Sequence, residues 1–391
     1  MPALRAALAH LGAAQLTRER LTVLGFGTAG ERSLRTAAGT LVDFSSNDYL
    51  GLARHPALAE AMARSAGARG AGSGASHLIT GHGAEHAALE AELADFTQRE
   101  RALLFCSGYM ANLAVMCAFA ARGERVLLDR LSHASLIDGA RLSGARLQRY
   151  AHADAGACLR LAAQQGAPAA LIATDGVFSM DGDLAPVREL ARIAQCHGAW
   201  LAVDDAHGLG VVGEGGRGTL ALAGLGSAEV PLLIGTLGKA FGSFGAFVAG
   251  SAEVIEFLMQ KARTYIYTTA LPQPVAAATR AALKLARAES WRREQLAANV
   301  ACFRRLAAAA GLTLVPSDTP IQPLLPGSAA AALAAQGHLA DAGYRVVAIR
   351  PPTVPATGAR LRIALAATHT QAEIAGLIDA LAQLPLPAGS R

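Results

Sequence analysis

Lys239 stands in IGTLGKAFGSFGA, a stretch otherwise built of glycine, small residues and apolar side chains, and it is one of few lysines in an arginine-rich chain. An amine set there is either a surface accident or a group held in a pocket. Other reactive side chains occupy similar positions upstream. Asp204 ends the apolar run AWLAVD, where a carboxylate needs a partner to be tolerated, and His207 follows three residues later in a glycine-rich turn. Ser179 comes after ALIATD, His133 after ERVLLD, Ser107-Gly108-Tyr109 after RALLF, and Thr236 three residues before Lys239. Taken singly, a satisfied histidine, a capping aspartate or an ordinary helix start explains several of these.

As a set they meet one demand. A lysine amine condenses with an aldehyde, and a partly desolvated ammonium gives up its proton more readily. A carboxylate keeps a pyridine nitrogen protonated, and a flat side chain stacks on the ring. Backbone N–H groups at a helix start, with hydroxyls, hold a phosphate. These are the needs of pyridoxal phosphate (PLP), with Lys239 as its covalent anchor.

The elements that must position these groups alternate. Short apolar β-type runs (RALLFCSG, ERVLLD, ALIATDGVFS, AWLAVDDAHG, PLLIGTLGK, FGAFVAG) are interleaved with helical stretches such as YMANLAVMCAFAA and VRELARIAQCHG. That pattern predicts an α/β fold with a mostly parallel central sheet covered by helices on both faces. In such sheets functional groups gather at the carboxyl ends of strands. An N-terminal helix and a short strand pair are expected over 1–45, a large cofactor-binding domain over 46–273, and a smaller α+β C-terminal domain over 274–391. The last opens with a long Ala-rich helix near 274–310.

Composition excludes several classes. Of 391 residues, 52% are hydrophobic and 17% charged, a globular balance. The net charge of +5 suits small anionic substrates, but no basic run with interleaved aromatics points to nucleic acid. Cys106, Cys117, Cys158, Cys196 and Cys302 are odd in number and lack metal-ligand spacing, so reduced thiols and a cytoplasmic location are expected. The N-terminal stretch has no apolar signal core, and no run is long enough to span a membrane.

The strings FSSNDYLGL (44–52), DRLSHASL (129–136), GVFSMDGD (176–183), VDDAHGLGVVGEGGRG (203–218) and AIRPPTVPATGARLRI (348–363) resemble the α-oxoamine synthases, a family of fold-type I PLP enzymes, over about residues 40–370. FSSNDYLGL and IRPPTVP favour the branch of biotin biosynthesis that joins L-alanine to a pimeloyl thioester. The resemblance implies a decarboxylative acyl transfer giving 8-amino-7-oxononanoate, with pimeloyl-CoA or a pimeloyl-acyl carrier protein as donor. It implies Lys239, Asp204 and His133 as the catalytic residues. Gly108 and Tyr109 would give backbone donors, and Thr236 a hydroxyl, to the phosphate side of the cofactor, His133 would stack on its ring, Asp204 would pair with the ring nitrogen, His207 would bond the ring oxygen, and Ser179 would add a further bond. Asn47 and Arg362 would hold the amino-acid carboxylate, a task suited to a guanidinium fork. Arg20, with Arg18 as the alternative, would contact the acyl substrate together with Thr353 and His133. A homodimer is implied, with the loop near 70–81 helping to build the active site.

Two departures stand out: Asp175 where the family often has Glu, and His77 where many relatives carry Arg. Two rival motifs are weaker. His82-Gly83-Ala84-Glu85-His86 matches H-x-x-E-H, but no third ligand accompanies it in sequence and His82 is expected at or before a helix start, so no metal site is expected. GTLGKAFG lacks the gap and the Ser/Thr of a P-loop. Sister synthases that use glycine or serine share the lysine and the aspartate and remain the alternative.

Overall fold

The computed structural model describes residues 2–14, 16–28 and 30–385. The chain forms two compact units. The larger comprises Leu50–Ser179 and Asp183–Arg293, and the smaller comprises Met1–Tyr49, Met180–Gly182 and Glu294–Arg391.

The larger unit is built on a seven-stranded sheet. From one edge its strands run Arg101–Phe105, Ala246–Gly250, Leu232–Thr236, Trp200–Asp204, Ala169–Asp175, Arg125–Asp129 and Arg146–Tyr150. Neighbours pair in parallel except at Ala246–Gly250, which is antiparallel to both of its partners. The fold class is therefore the α/β arrangement expected from the sequence. The strands read as continuous apolar runs because both faces are covered.

Alternation along each strand divides the core. Leu171, Ala173, Ala202, Leu232 and Ile234 point into one cluster, with Ala111, Val115 and Met116 from the helix Gly108–Phe119. Ile172, Leu201, Val203 and Leu233 point into the other, with Leu190, Ala194 and Leu220 from the helices Val187–His197 and Gly218–Ala223. Register puts Asp175 beside Asp204, and Asp204 beside Ile234, two residues before Thr236. Asp175, Asp204 and Thr236 thus stand in a row along one rim of the sheet.

The smaller unit holds two sheets. Gly25–Phe26, Ser33–Thr36 and Gly39–Asp43 pair antiparallel, and Tyr344–Arg345 adds to the last in parallel. Ile321–Leu324, Arg360–Ala364 and Val347–Ile349 form a second, antiparallel sheet. The Ala-rich helical segment expected near 274–310 at the start of the C-terminal domain is two helices, Gln273–Ala288, which belongs to the larger unit, and Trp291–Ala309. Glu289 leaves the helical region (φ −103°, ψ 68°), and Ser290, a residue type suited to capping, precedes the second helix. Among the described residues no helix is long and apolar enough to cross a membrane.

Candidate active site

Five strand ends carry the groups of the larger unit. Asp204 is 6% exposed and has two donors: Ala206 N–H to Oδ1 (3.1 Å) and the Asn112 side-chain amide to Oδ2 (2.7 Å). The carboxylate that the sequence left in search of a partner is thereby satisfied. Asn112 Nδ2 also reaches Ser135 Oγ at 2.7 Å, and Ser135 Oγ lies 2.6 Å from His133 Nδ1. His133 caps the helix Ala134–Ser143, and its own backbone N–H donates to Asp175 Oδ2 (3.0 Å). The shorter acid at position 175 therefore anchors the loop that presents the imidazole. Burial lowers the pKa of His133, and Lys239 adds to this while Asp204 opposes it. Burial, reinforced by the charge of Asp204, raises the pKa of Asp175 well above the usual carboxylate range.

Lys239 lies in the turn after Leu232–Thr236. Gly245 O accepts from Leu237 N–H, and Lys239 O accepts from Gly242 N–H. Gly242 needs to be glycine there: its φ is +61°, and a Cβ would come within 2.2 Å of Ala53 N. This tight turn holds Lys239 Nζ 2.9 Å from His207 Nε2. His207 follows Asp204 in the turn closed by Gly208 N–H to Asp205 O.

The expected phosphate-side residues occupy the same strand ends. Ser107 caps the helix Gly108–Phe119 by accepting from Met110 N–H, and the space a Cβ would fill at Gly108 is open. The Tyr109 side chain is exposed and donates to Asp138 Oδ2 (2.6 Å), so its backbone N–H is what it can offer at the helix start. Thr236 Oγ1 donates to Gly245 O (3.1 Å) and accepts from Gly238 N–H (3.4 Å). Ser179 follows Asp175 in a turn closed by Phe178 N–H to Asp183 O.

In the smaller unit Tyr49 joins two predicted residues. Its hydroxyl donates to Asn47 Oδ1 (3.2 Å) and accepts from Arg362 Nη2 (3.5 Å). Burial raises the Tyr49 pKa, with Arg362 pulling the other way. Arg18, Arg20 and Thr353 line one cavity of about 600 Å³ with Arg345 and Arg350, a cationic lining that suits an anionic substrate. Both N-terminal arginines reach it, so the choice between them stays open.

The donor set of the larger unit fits pyridoxal phosphate. An amine beside an imidazole, a doubly hydrogen-bonded carboxylate, a flat side chain and an open helix start with a glycine are all present. Sequence reading missed Asn112, Ser135 and Tyr49. The signal for Asn112 was a lone amide in the apolar helix YMANLAVMCAF, since a buried polar group demands a partner.

One expectation is corrected. A third imidazole does join the H-x-x-E-H pair, because the π-helical turn His77–Gly81 returns His77 to within 4.8 Å of His82 and His86. His77 Nδ1 and His82 Nδ1 are bonded to each other (2.9 Å). His86 accepts from Gly83 N–H (2.9 Å) at Nδ1 and donates to Leu271 O (2.5 Å) from Nε2. Both His86 nitrogens are therefore engaged in hydrogen bonds within the protein.

Residues 39–381 match the family of class I and II aminotransferases. The 8-amino-7-oxononanoate synthases of Methylococcus capsulatus and Alkalilimnicola ehrlichii are 60% and 59% identical to this chain, over 87% and 89% of it and 88% and 90% of their own lengths. Among solved structures, an 8-amino-7-oxononanoate synthase from Francisella tularensis has a TM-score of 0.78 at 32% identity, covering 88% of this chain and 97% of that one. A serine palmitoyltransferase from Sphingomonas wittichii has a TM-score of 0.91 at 27% identity, covering 99% and 98%. With the strand-end groups in place and identities of this size over nearly the whole chain, the protein belongs to the 8-amino-7-oxononanoate synthase family within the class I and II aminotransferases.

Proposed function

We propose that this chain uses pyridoxal phosphate to condense L-alanine with a pimeloyl thioester, giving 8-amino-7-oxononanoate, CO2 and free thiol for biotin synthesis. The observation that carries the reading is the 2.9 Å approach of Lys239 Nζ to His207 Nε2 at the strand end beside Asp204. When bound, the cofactor supplies an electron sink for the carbanion at the alanine Cα. Lys239 would anchor it, and its free amine would take the Cα proton. Asp204, 6% exposed and bonded by Asn112 and Ala206, would pair with the ring nitrogen. His133 would offer its flat face, His207, 2.9 Å from the lysine amine, would orient it and bond the ring oxygen, and Ser179 would add a bond. Gly108, Tyr109 and Thr236 take the phosphate.

Arg362 and Asn47, tied together through Tyr49, hold the alanine carboxylate until it leaves as CO2. Arg20 or Arg18, with Thr353, holds the acyl substrate, whether its thiol is coenzyme A or a carrier protein. The atoms balance as follows: the Cα–C bond to the acyl carbonyl forms, the C–S bond breaks, the carboxylate carbon departs as CO2, and one proton is taken up. The working unit in this reading is a homodimer.

The test is thiol release from pimeloyl-CoA by purified protein with pyridoxal phosphate, adding alanine, glycine or serine in turn. Release that requires alanine is the expected result. Release with glycine or serine instead moves the chain to a sister synthase.

A further inference from the structure

We infer that Asn112 and Ser135 are positioning residues: together they set the hydrogen-bond direction between Asp204 and His133, holding the first as an acceptor and the second as its Nε2–H tautomer. This rests on the roles proposed above for those two groups. The direction is fixed from both ends. At one end Ser135 N–H donates to His133 Nδ1 (3.3 Å), and a backbone N–H can only donate, so Nδ1 presents a lone pair. The Ser135 hydroxyl, 2.6 Å away, must then donate to the same nitrogen. That leaves the serine oxygen to accept from Asn112 Nδ2 (2.7 Å). The second amide proton of Asn112 goes to Asp204 Oδ2 (2.7 Å), whose other oxygen already accepts from Ala206 N–H.

The opposite amide orientation fails. It sets a carbonyl oxygen against a carboxylate and against a serine whose proton is already used. The observed orientation leaves Asn112 Oδ1 buried without a partner, in a residue 1% exposed. An asparagine serving packing alone would not strand its carbonyl while spending both amide protons on the site. Protonating His133 at Nδ1 would oppose the Ser135 N–H, so the imidazole stays neutral. Other charged or titratable groups near Asp204 include Asp175 and Asp205 on the strand ends, with Lys239 and its hydrogen-bond partner His207 in the adjoining turns.

The test follows the rate at which holoenzyme loses pyridoxal phosphate, read by absorbance without substrate, across about pH 5 to about pH 8. A hydrogen bond to a carboxylate is worth roughly one pH unit or more. In Asn112→Ala the rise in release on acidification should therefore begin about one unit higher than in the unsubstituted protein. Ser135→Ala, the milder change, should move it the same way by less, and it carries the test if Asn112→Ala does not fold. Asp204→Asn should abolish the acid-dependent rise. Persistence of the rise in Asp204→Asn overturns the role given to Asp204 itself. Its loss there, with the Asn112 and Ser135 variants superimposed on the unsubstituted protein, overturns the positioning role alone. In protein with 15N-labelled histidine, His133 should show an unprotonated Nδ1, and a proton there contradicts the inference directly.

Discussion

Asp204 and Asp205 are consecutive, both buried, and both at the end of one strand, yet they serve opposite faces of the sheet. Asp204 continues the side of Ala202 and meets the helix Gly108–Phe119 through Asn112. Asp205 turns to the side of Val203 and accepts from Thr219 N–H (2.7 Å) at the start of the helix Gly218–Ala223. Around Asp205 the chain is glycine: a Cβ at Gly176, Gly208 or Gly218 would come within 2.6, 2.0 and 2.0 Å of its carboxylate oxygens. Asp204 is held by donors that leave it beside Lys239 and His133, whereas Asp205 is enclosed by backbone. Burial alone therefore does not separate the two acids; the partners and the face do.

The largest effects belong to the Asp204 side. Lys239→Ala should abolish thiol release, because the anchor and the base are lost together, while cofactor still binds non-covalently. Appreciable turnover in that variant breaks the comparison at its root. Asp204→Asn should lower exchange of the alanine Cα proton by about 10²-fold or more. Asp205→Asn should leave exchange within about threefold, since its neighbours are structural. Equal losses in the two would mean that the faces are not distinct.

The Asp205 side should report in stability instead. Gly208→Ala places a methyl against the Asp205 carboxylate and should cost about 2–4 kcal/mol in chemical denaturation. Gly218→Ala should cost more, because its φ is +89° as well.

The Asp205 carboxyl has a pH signature. Burial raises its pKa to about 7, against the opposing bonds from Thr219 and with help from the charge of Asp204. A raised pKa means the folded state holds the proton more tightly than the unfolded chain does. This contribution is full below about pH 4 and is lost as pH rises through about 7. Asp205→Asn removes it while keeping an acceptor for Thr219 N–H. Between pH 5 and 7 the unsubstituted protein should thus lose up to a few kcal/mol relative to the variant. Parallel stability curves for the two would show that Asp205 titrates as it does in the unfolded chain.

The difference between the two faces also marks how far the sequence could be read. The parallel sheet was legible because AWLAVD, ALIATD and PLLIGT are continuous apolar runs ending in polar residues, and that ending located Asp204 and Lys239. The interruption at Glu289 was hidden, because alanine-rich sequence on both sides favours helix and only Ser290 hints at a new start. Asn112, Ser135 and Tyr49 act through partners distant in sequence, and periodicity carries no information about which polar groups will meet. The same limit hid His77, five residues from His82 and outside any ligand spacing until the π-helical turn brings it back.

The smallest expected effect tests the outer edge of the Asp204 face. Tyr109 stands in the first turn of the helix whose interior supplies Asn112, and the family resemblance implies its backbone N–H as a cofactor contact. Its side chain, however, is 44% exposed and donates to Asp138 at the surface. That hydrogen bond and Asp138 raise the Tyr109 pKa, so the phenol stays protonated and uncharged at neutral pH. What Tyr109 can give the site is its backbone N–H, which any residue but proline supplies. Tyr109→Phe should therefore leave thiol release and cofactor retention within about twofold of the unsubstituted protein. Tyr109→Pro keeps a helix start, because proline is tolerated in the first turn, but removes that donor and should weaken cofactor retention. If Tyr109→Phe weakens retention as much as Tyr109→Pro does, the phenol rather than the main chain makes the contact, and the reactive face extends to this exposed side chain.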